Sequence, residues 1–233
     1  MRGRERRGYL FASSALLFRL ATKLVLRRRC VDAHKLPRSG PVIVASNHVS
    51  NVDPVVTLLA VVDAGRVPRF LAKAELFRVP VAGAYMRGTG QIPVERRSTN
   101  AAAALVPAGR VLDAGGCVVV YPEGTFTSDP NFWPMRGKTG TVRLALMSGA
   151  PLVPVAICGA EKVWPPTAKA PRFGRWPKVT VQFGDPVDLS DLMGRADDPD
   201  ALRTGTARLM KAITALVAQQ RGELPDSTDA LSA

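Results

Sequence analysis

From Pro41 onward the chain alternates short, wholly apolar runs with longer stretches in which apolar residues recur every three or four positions. Val42-Ile43-Val44-Ala45, Val118-Val119-Val120 and Leu152-Val153-Pro154-Val155-Ala156-Ile157 carry no polar alternation, as expected of strands covered on both faces. The pattern predicts strands at 41–46, 69–72, 91–94, 117–121, 152–157 and 178–183. Helices are predicted at 54–63, near 75–86, and at 98–114, 138–149 and 200–221. Strands alternating with helices of this length predict one α/β domain, its largely parallel or mixed sheet flanked by helices. Ligands of such sheets gather beyond the carboxyl ends of the strands. There are no internal repeats. Residues 36–221 read as the domain and 222–233, rich in Asp and Ser, as a disordered tail.

The segment before Pro41 has a different pattern. Gly8 to Leu26 is mostly apolar, but Arg19, Lys23 and Arg27 recur every four residues and form one basic stripe on a helix. A membrane-crossing helix needs about twenty apolar residues, and Arg19 near its centre would be costly. A secretory signal fits poorly, because charges interrupt the apolar region. Residues 1–35 are therefore expected to form a basic amphipathic arm lying in the headgroup region of an anionic bilayer. The competing expectation is that one apolar face packs on the domain. Charge sharpens the distinction: residues 1–38 hold eleven Lys/Arg against Glu5 and Asp32, a net of +9 out of +13 for the whole chain. A nucleic-acid-binding domain would more often carry its basic face on the fold itself, so no nucleic-acid partner is expected.

Cys30, Cys117 and Cys158 are odd in number and lack metal-ligand spacing, and the two histidines, His34 and His48, lie apart. A reduced environment and no metal follow as expectations. His48 is the candidate imidazole base. It sits in Ser46-Asn47-His48-Val49-Ser50-Asn51-Val52-Asp53-Pro54, between a strand and a helix that Asp53 would cap and Pro54 would start. A turn there lets the Asp53 carboxylate reach Nδ1 and leaves Nε2 as base. No Gly-x-Ser-x-Gly elbow accompanies them, and Ser46 and Ser50 lie in no recognisable nucleophile turn. A base without a protein nucleophile suits direct transfer to a hydroxyl that the substrate brings.

Three further clusters follow. Arg87-Gly88-Thr89-Gly90-Gln91-Ile92-Pro93-Val94-Glu95-Arg96-Arg97 joins close-approach glycines to forked donors suited to phosphate, with Lys73 as another phosphate partner. Tyr121-Pro122-Glu123-Gly124-Thr125 empties a strand into a loop, and Val153-Pro154-Val155-Ala156 is a buried strand. In order and spacing, over roughly 36–190, these clusters resemble the glycerolipid acyltransferase family, particularly 1-acyl-sn-glycerol-3-phosphate acyltransferases. Asn47-His48-x4-Asp53 is similar to the family's catalytic motif, and Gly90 to Arg96 to its second. Phe126 departs from the Arg that often continues the third motif.

The resemblance implies a phospholipid-synthesising O-acyltransferase that converts lysophosphatidic acid to phosphatidic acid. The donor would be acyl-CoA or an acyl-carrier protein, with no cofactor. His48 and Asp53 would be catalytic. Arg96 would fix the acceptor phosphate, helped by Lys73 or Arg97. Gly90, Glu123, Gly124 and Thr125 would shape the pocket. Backbone amides near the His48 turn would stabilise the oxyanion. The enzyme would sit on the cytoplasmic face of the cell membrane, peripheral or monotopic. Alternatives are another glycerolipid or glycolipid acceptor, an acyl-thioester hydrolase, and a basic membrane-binding module.

Overall fold

The computed structural model describes residues 8–95, 103–172, 174 and 176–225. Among these residues six helices, α1 (Tyr9–Val25), α2 (Asp53–Asp63), α3 (Pro80–Gly88), α4 (Val106–Asp113), α5 (Gly140–Ser148) and α6 (Pro199–Arg221), cover one sheet. Its seven strands are β1 (Arg27–Val31), β2 (Val42–Ser46), β3 (Pro68–Lys73), β4 (Ile92–Val94), β5 (Cys117–Val120), β6 (Leu152–Cys158) and β7 (Lys178–Phe183), in spatial order β1-β7-β6-β2-β5-β3-β4. Every neighbouring pair is parallel except β6 with β7. The sheet is therefore mixed.

Period-2 geometry explains the wholly apolar runs. Val42 and Val44 of β2 pack with α2, whereas Ile43 and Ala45 pack with α4, α5 and α6. Since β2 lies in the centre with helices on both faces, neither set of side chains can be polar.

Some boundaries differ from the pattern. Arg27–Val31, expected at the end of the arm, is an edge strand parallel to β7. The Arg27-Arg28-Arg29 run masks it, and charged residues are a common guard on strand edges. The helix near 75–86 divides into a 3-10 turn, Ala74–Arg78, and α3. Pro80 divides them, because the residue before a proline is driven to extended backbone, as at Val79 (φ −71°, ψ 125°). The helix expected at 98–114 is described from Ala103 as a 3-10 turn followed by α4; its first residues lie outside the described residues. So do residues 1–7 of the arm and 226–233 of the tail.

The arm's helix packs one apolar face on the domain, as the competing expectation had it, and leaves another exposed. Phe11 and Ala15 are buried against Leu58, Leu59, Val62 and Val67, and Phe18 packs beside them. Leu16, Leu17, Leu20 and Leu24 remain 54–73% exposed and form a second apolar stripe. Arg19 is committed to an ion pair with Asp63, which Arg28 also contacts. No helix among the described residues is long and apolar enough to cross a membrane.

Candidate active site

The connection from β2 to α2 carries His48, and three sets of hydrogen bonds fix it. Asn47 holds the sheet: its Nδ2 donates to Ile157 O (2.9 Å) and its Oδ1 accepts from Ile157 N (2.8 Å). Asp53, with 0% exposure, holds the turn. Its Oδ2 accepts from the amides of Val49 (2.6 Å) and Ser50 (2.7 Å) and lies 2.8 Å from His48 Nδ1. Asp53 therefore does not cap α2 as expected, because its carboxylate turns back to amides that precede the helix. Burial raises its pKa, while His48 and the two amides oppose that rise. With Nδ1 directed at an acceptor, Nε2 is left to take a proton.

Glu123 supplies the third set. Only 2% exposed, it accepts from the His48 amide through Oε1 (3.1 Å) and from the Met135 amide through Oε2 (3.2 Å). The Thr127 amide donates in turn to His48 O (2.9 Å). The loop after β5 thus grips the backbone of the base from both sides. Burial pushes the Glu123 carboxyl up to about 7. Glu123 was expected to shape the substrate pocket; here it positions His48 and does not line the cavity.

That cavity, of about 580 Å³, opens beside His48 and is mostly apolar, with walls from α1, α2, β3, α3 and the loop after β5. The His48 ring, 14% exposed, packs against Tyr121 (4.1 Å between centroids, 16° between planes) and Phe126 (4.1 Å, 41°). The position where the related third motif often has Arg is thus an aromatic wall of the base. Thr125 lines the cavity, as does Lys73, the only Lys or Arg of the described lining. Phe18 brings α1 into the wall.

The remaining expected residues separate. Gly90 (φ 69°) lies outside the lining and serves packing, since a Cβ there would stand 2.6 Å from Arg69 Nη1. Gly124 (φ 73°) shapes the loop itself, its added Cβ meeting Lys138 Nζ at 3.0 Å. Arg96 and Arg97 lie outside the described residues. The backbone amides near His48 are not available to an oxyanion. Those of His48, Val49, Ser50, Asn51, Val52 and Asp53 donate to Glu123, Asp53, Asp53, Trp164, Ser50 Oγ and Ser50 O respectively. The Ser46 and Ser50 hydroxyls are likewise engaged, with Asn47 O and Trp164 O. Sequence reasoning missed the positioning role of Asn47, although a polar residue directly after a buried strand was a signal for it. It also missed Phe18 and the stacking of Tyr121.

A histidine oriented by a buried carboxylate at the mouth of an apolar cavity suits an α/β protein for activating a hydroxyl, whether of a substrate or of water. Residues 27–158, more than half of the chain, match the family described as Acyltransferase, and the chain belongs to that family. Three relatives are each named 1-acyl-sn-glycerol-3-phosphate acyltransferase. The chloroplastic BAT2 protein of Brassica napus is 32% identical over 132 residues, 56% of this chain and 37% of the relative. The Borreliella burgdorferi protein is 30% identical over 54% of this chain and 48% of its own. The Bacillus subtilis protein is 28% identical over 78% of this chain and 84% of its own. The match thus spans less than half of the first two relatives. Among solved structures, the 1-acyl-sn-glycerophosphate acyltransferase PlsC of Thermotoga maritima superposes with a TM-score of 0.68 at 23% identity, covering 97% of this chain and 86% of that one. The last comparison establishes the shared fold.

Proposed function

We propose that this protein transfers a fatty acyl group from a thioester to the free hydroxyl of lysophosphatidic acid, giving phosphatidic acid. The observation that carries the proposal is the His48 Nδ1–Asp53 Oδ2 contact of 2.8 Å at the edge of an apolar cavity that also holds Lys73. The names of the relatives support the acceptor. His48 Nε2 takes the acceptor's hydroxyl proton as its oxygen forms a bond to the thioester carbonyl carbon. The tetrahedral intermediate collapses, the C–S bond breaks, and the imidazolium returns the proton to the leaving thiolate. Asp53 stabilises the transient imidazolium. The Thr125 and Phe126 amides, which donate to no described residue and belong to residues lining the cavity, receive the oxyanion.

The acceptor phosphate is assigned to Lys73 and Arg96. Lys73 lines the cavity, and Arg96 belongs to the Gly90–Arg96 segment that is similar to the family's second motif. The acceptor's alkyl chain fills the apolar cavity. The exposed leucine stripe of α1 and the +9 charge of residues 1–38 support peripheral docking on an anionic bilayer, at the cytoplasmic face of the cell membrane.

A labelled thioester presented with a panel of phosphorylated and dephosphorylated lysolipids tests the assignment. Phosphatidic acid should form only with lysophosphatidic acid present. Lys73→Ala and Arg96→Ala should each raise the acceptor KM about tenfold or more while leaving the donor KM unchanged. Acyl release independent of acceptor would instead show a hydrolase.

A further inference from the structure

Two aromatic rings pack on the imidazole of His48, and each is itself fixed. Tyr121 lies nearly parallel to it, with 4.1 Å between centroids and 16° between planes. Phe70 of β3 stacks in turn with Tyr121 (6.4 Å, 24°). The Tyr121 hydroxyl stands 3.4 Å from Thr57 Oγ1, and Thr57 lies one turn beyond Asp53 in α2. Burial, and then the Asp53 charge, raise the pKa of the Tyr121 phenol well above its ordinary value, so the ring stays neutral. Phe126 reaches the imidazole from the loop, at 4.1 Å and 41°. The Gly124 amide donates to Tyr121 O (3.0 Å), and the Thr127 amide to His48 O, so the loop turns and ties Phe126 beside the base.

These contacts change in value during a proton transfer. A neutral imidazole gains only packing from the rings, whereas an imidazolium is also attracted by their π faces, most strongly where water is excluded. The His48 side chain is only 14% exposed. An interaction that appears with the charge acts on kcat and not on ground-state binding. Phe126 stands where the related third motif often has Arg, and a guanidinium on this wall would oppose the same charge.

We propose that Tyr121 and Phe126 are positioning residues that brace the plane of the His48 ring and favour the imidazolium formed as the substrate hydroxyl loses its proton. The inference rests on the acyl-transfer reading above and adds to it the two faces of the base that Asp53 does not touch. The charged or titratable groups around the ring are Asp53 at Nδ1, Glu123 at the backbone amide, the Tyr121 phenol, and Lys73 in the cavity wall on β3. All four remain in the variants at Phe126, so a difference from wild type reports the ring face.

Turnover of a short-chain lysophosphatidic acid by the full-length protein, across the pH range in which an imidazole titrates, tests the brace. Phe126→Leu keeps the wall apolar but removes the π face. It should lower kcat about tenfold, with both KM values within about twofold of wild type. The acid limb of kcat should move to lower pH by about half to one pH unit, because the protonated base has lost a partner. Tyr121→Leu should act in the same direction, and Phe126→Arg should move the limb further. Phe126→Tyr and Tyr121→Phe keep the π faces and should leave the limb in place. If Tyr121→Leu fails to fold, the partly exposed Phe126 still decides the matter. An unmoved limb in folded Phe126→Leu would overturn the brace. So would a lower acceptor KM with kcat retained in Phe126→Arg, which would mark a phosphate contact. Nitrogen NMR of the two histidines without substrate, with His34→Gln identifying the His48 signals, should show the same displacement. That displacement in a protein that makes no phosphatidic acid would overturn the acyl-transfer reading and leave the brace standing. Phosphatidic acid formed by the wild type, with no displacement in Phe126→Leu, would do the reverse.

Discussion

Glu123 gives the clearest test at the scale of a residue. Its folded-state pKa, about 7, lies above the ordinary 4.5, so the folded protein binds more protons than the unfolded chain between those values. Stability from this group is fully present below about 4.5 and is lost as pH rises through about 7, a change of about 3 kcal/mol. Asp53 acts in the same sense, since burial also raises its pKa. Thermal melts of Glu123→Gln across this range should show a flatter pH profile than wild type. The same variant should lower kcat about tenfold with the acceptor KM unchanged, because Glu123 touches the His48 amide and not the substrate. A raised acceptor KM with normal kcat would return Glu123 to the pocket. For the base itself, His48→Ala should lower kcat by about 10³-fold or more. Asp53→Asn should lower it by about 10²–10⁴-fold in a protein that still folds, since Asn keeps an acceptor for the Val49 and Ser50 amides but no charge for the imidazolium. Near-normal turnover by folded His48→Ala would eliminate the mechanism. The His48–Asp53 pair was legible in the sequence because both ends of a short turn are local. The Glu123 role was not, because its partner is a backbone amide 75 positions away, and backbone amides leave no mark in a sequence.

At the scale of an element, α1 carries both a packed and an exposed apolar face, which the sequence presented as alternatives. Its two apolar stripes read as one broad apolar arc, and only packing separates Phe11, Ala15 and Phe18 from Leu16, Leu17, Leu20 and Leu24. Deletion of the helix would open the catalytic cavity at Phe18, so it cannot isolate docking. Replacing the four exposed leucines by glutamine, a good helix former, should isolate it. Cosedimentation with anionic vesicles should weaken by about 10²-fold or more, because each buried leucine contributes roughly 1.5–3 kcal/mol. Turnover of a short-chain, monomeric acceptor should stay within about twofold of wild type. Equal loss on both acceptors would assign the stripe to the fold. The edge strand β1 shows the complementary difficulty, since three consecutive arginines hide a period of two that is visible only once β7 lies beside it.

At the scale of the molecule, the α/β order, most strands and the long α6 could be read from periodicity, because burial on both faces leaves little choice of residue. The spatial order of the strands and the reversal between β6 and β7 could not, because they depend on long-range pairing with no local signature. One buried side chain now acquires a meaning for the whole sheet. Arg66, 1% exposed, donates to the carbonyls of Pro37 (2.7 Å), Gly40 (2.7 Å) and Gly115 (2.9 Å). These residues lie in the loops that enter β2 and β5, and Arg66 itself precedes β3, so one guanidinium laces together the entrances of three adjacent parallel strands. The sheet is riveted at the rim where nothing reacts, which leaves the opposite rim free to spend its polar groups on catalysis. Arg66→Met should then cost several kcal/mol, about 1.5–3 for each charge-assisted bond lost, and lower the melting temperature steeply. The fraction that remains folded should turn over at the wild-type rate. A loss of kcat in that folded fraction would show that the two rims are mechanically coupled rather than separately built.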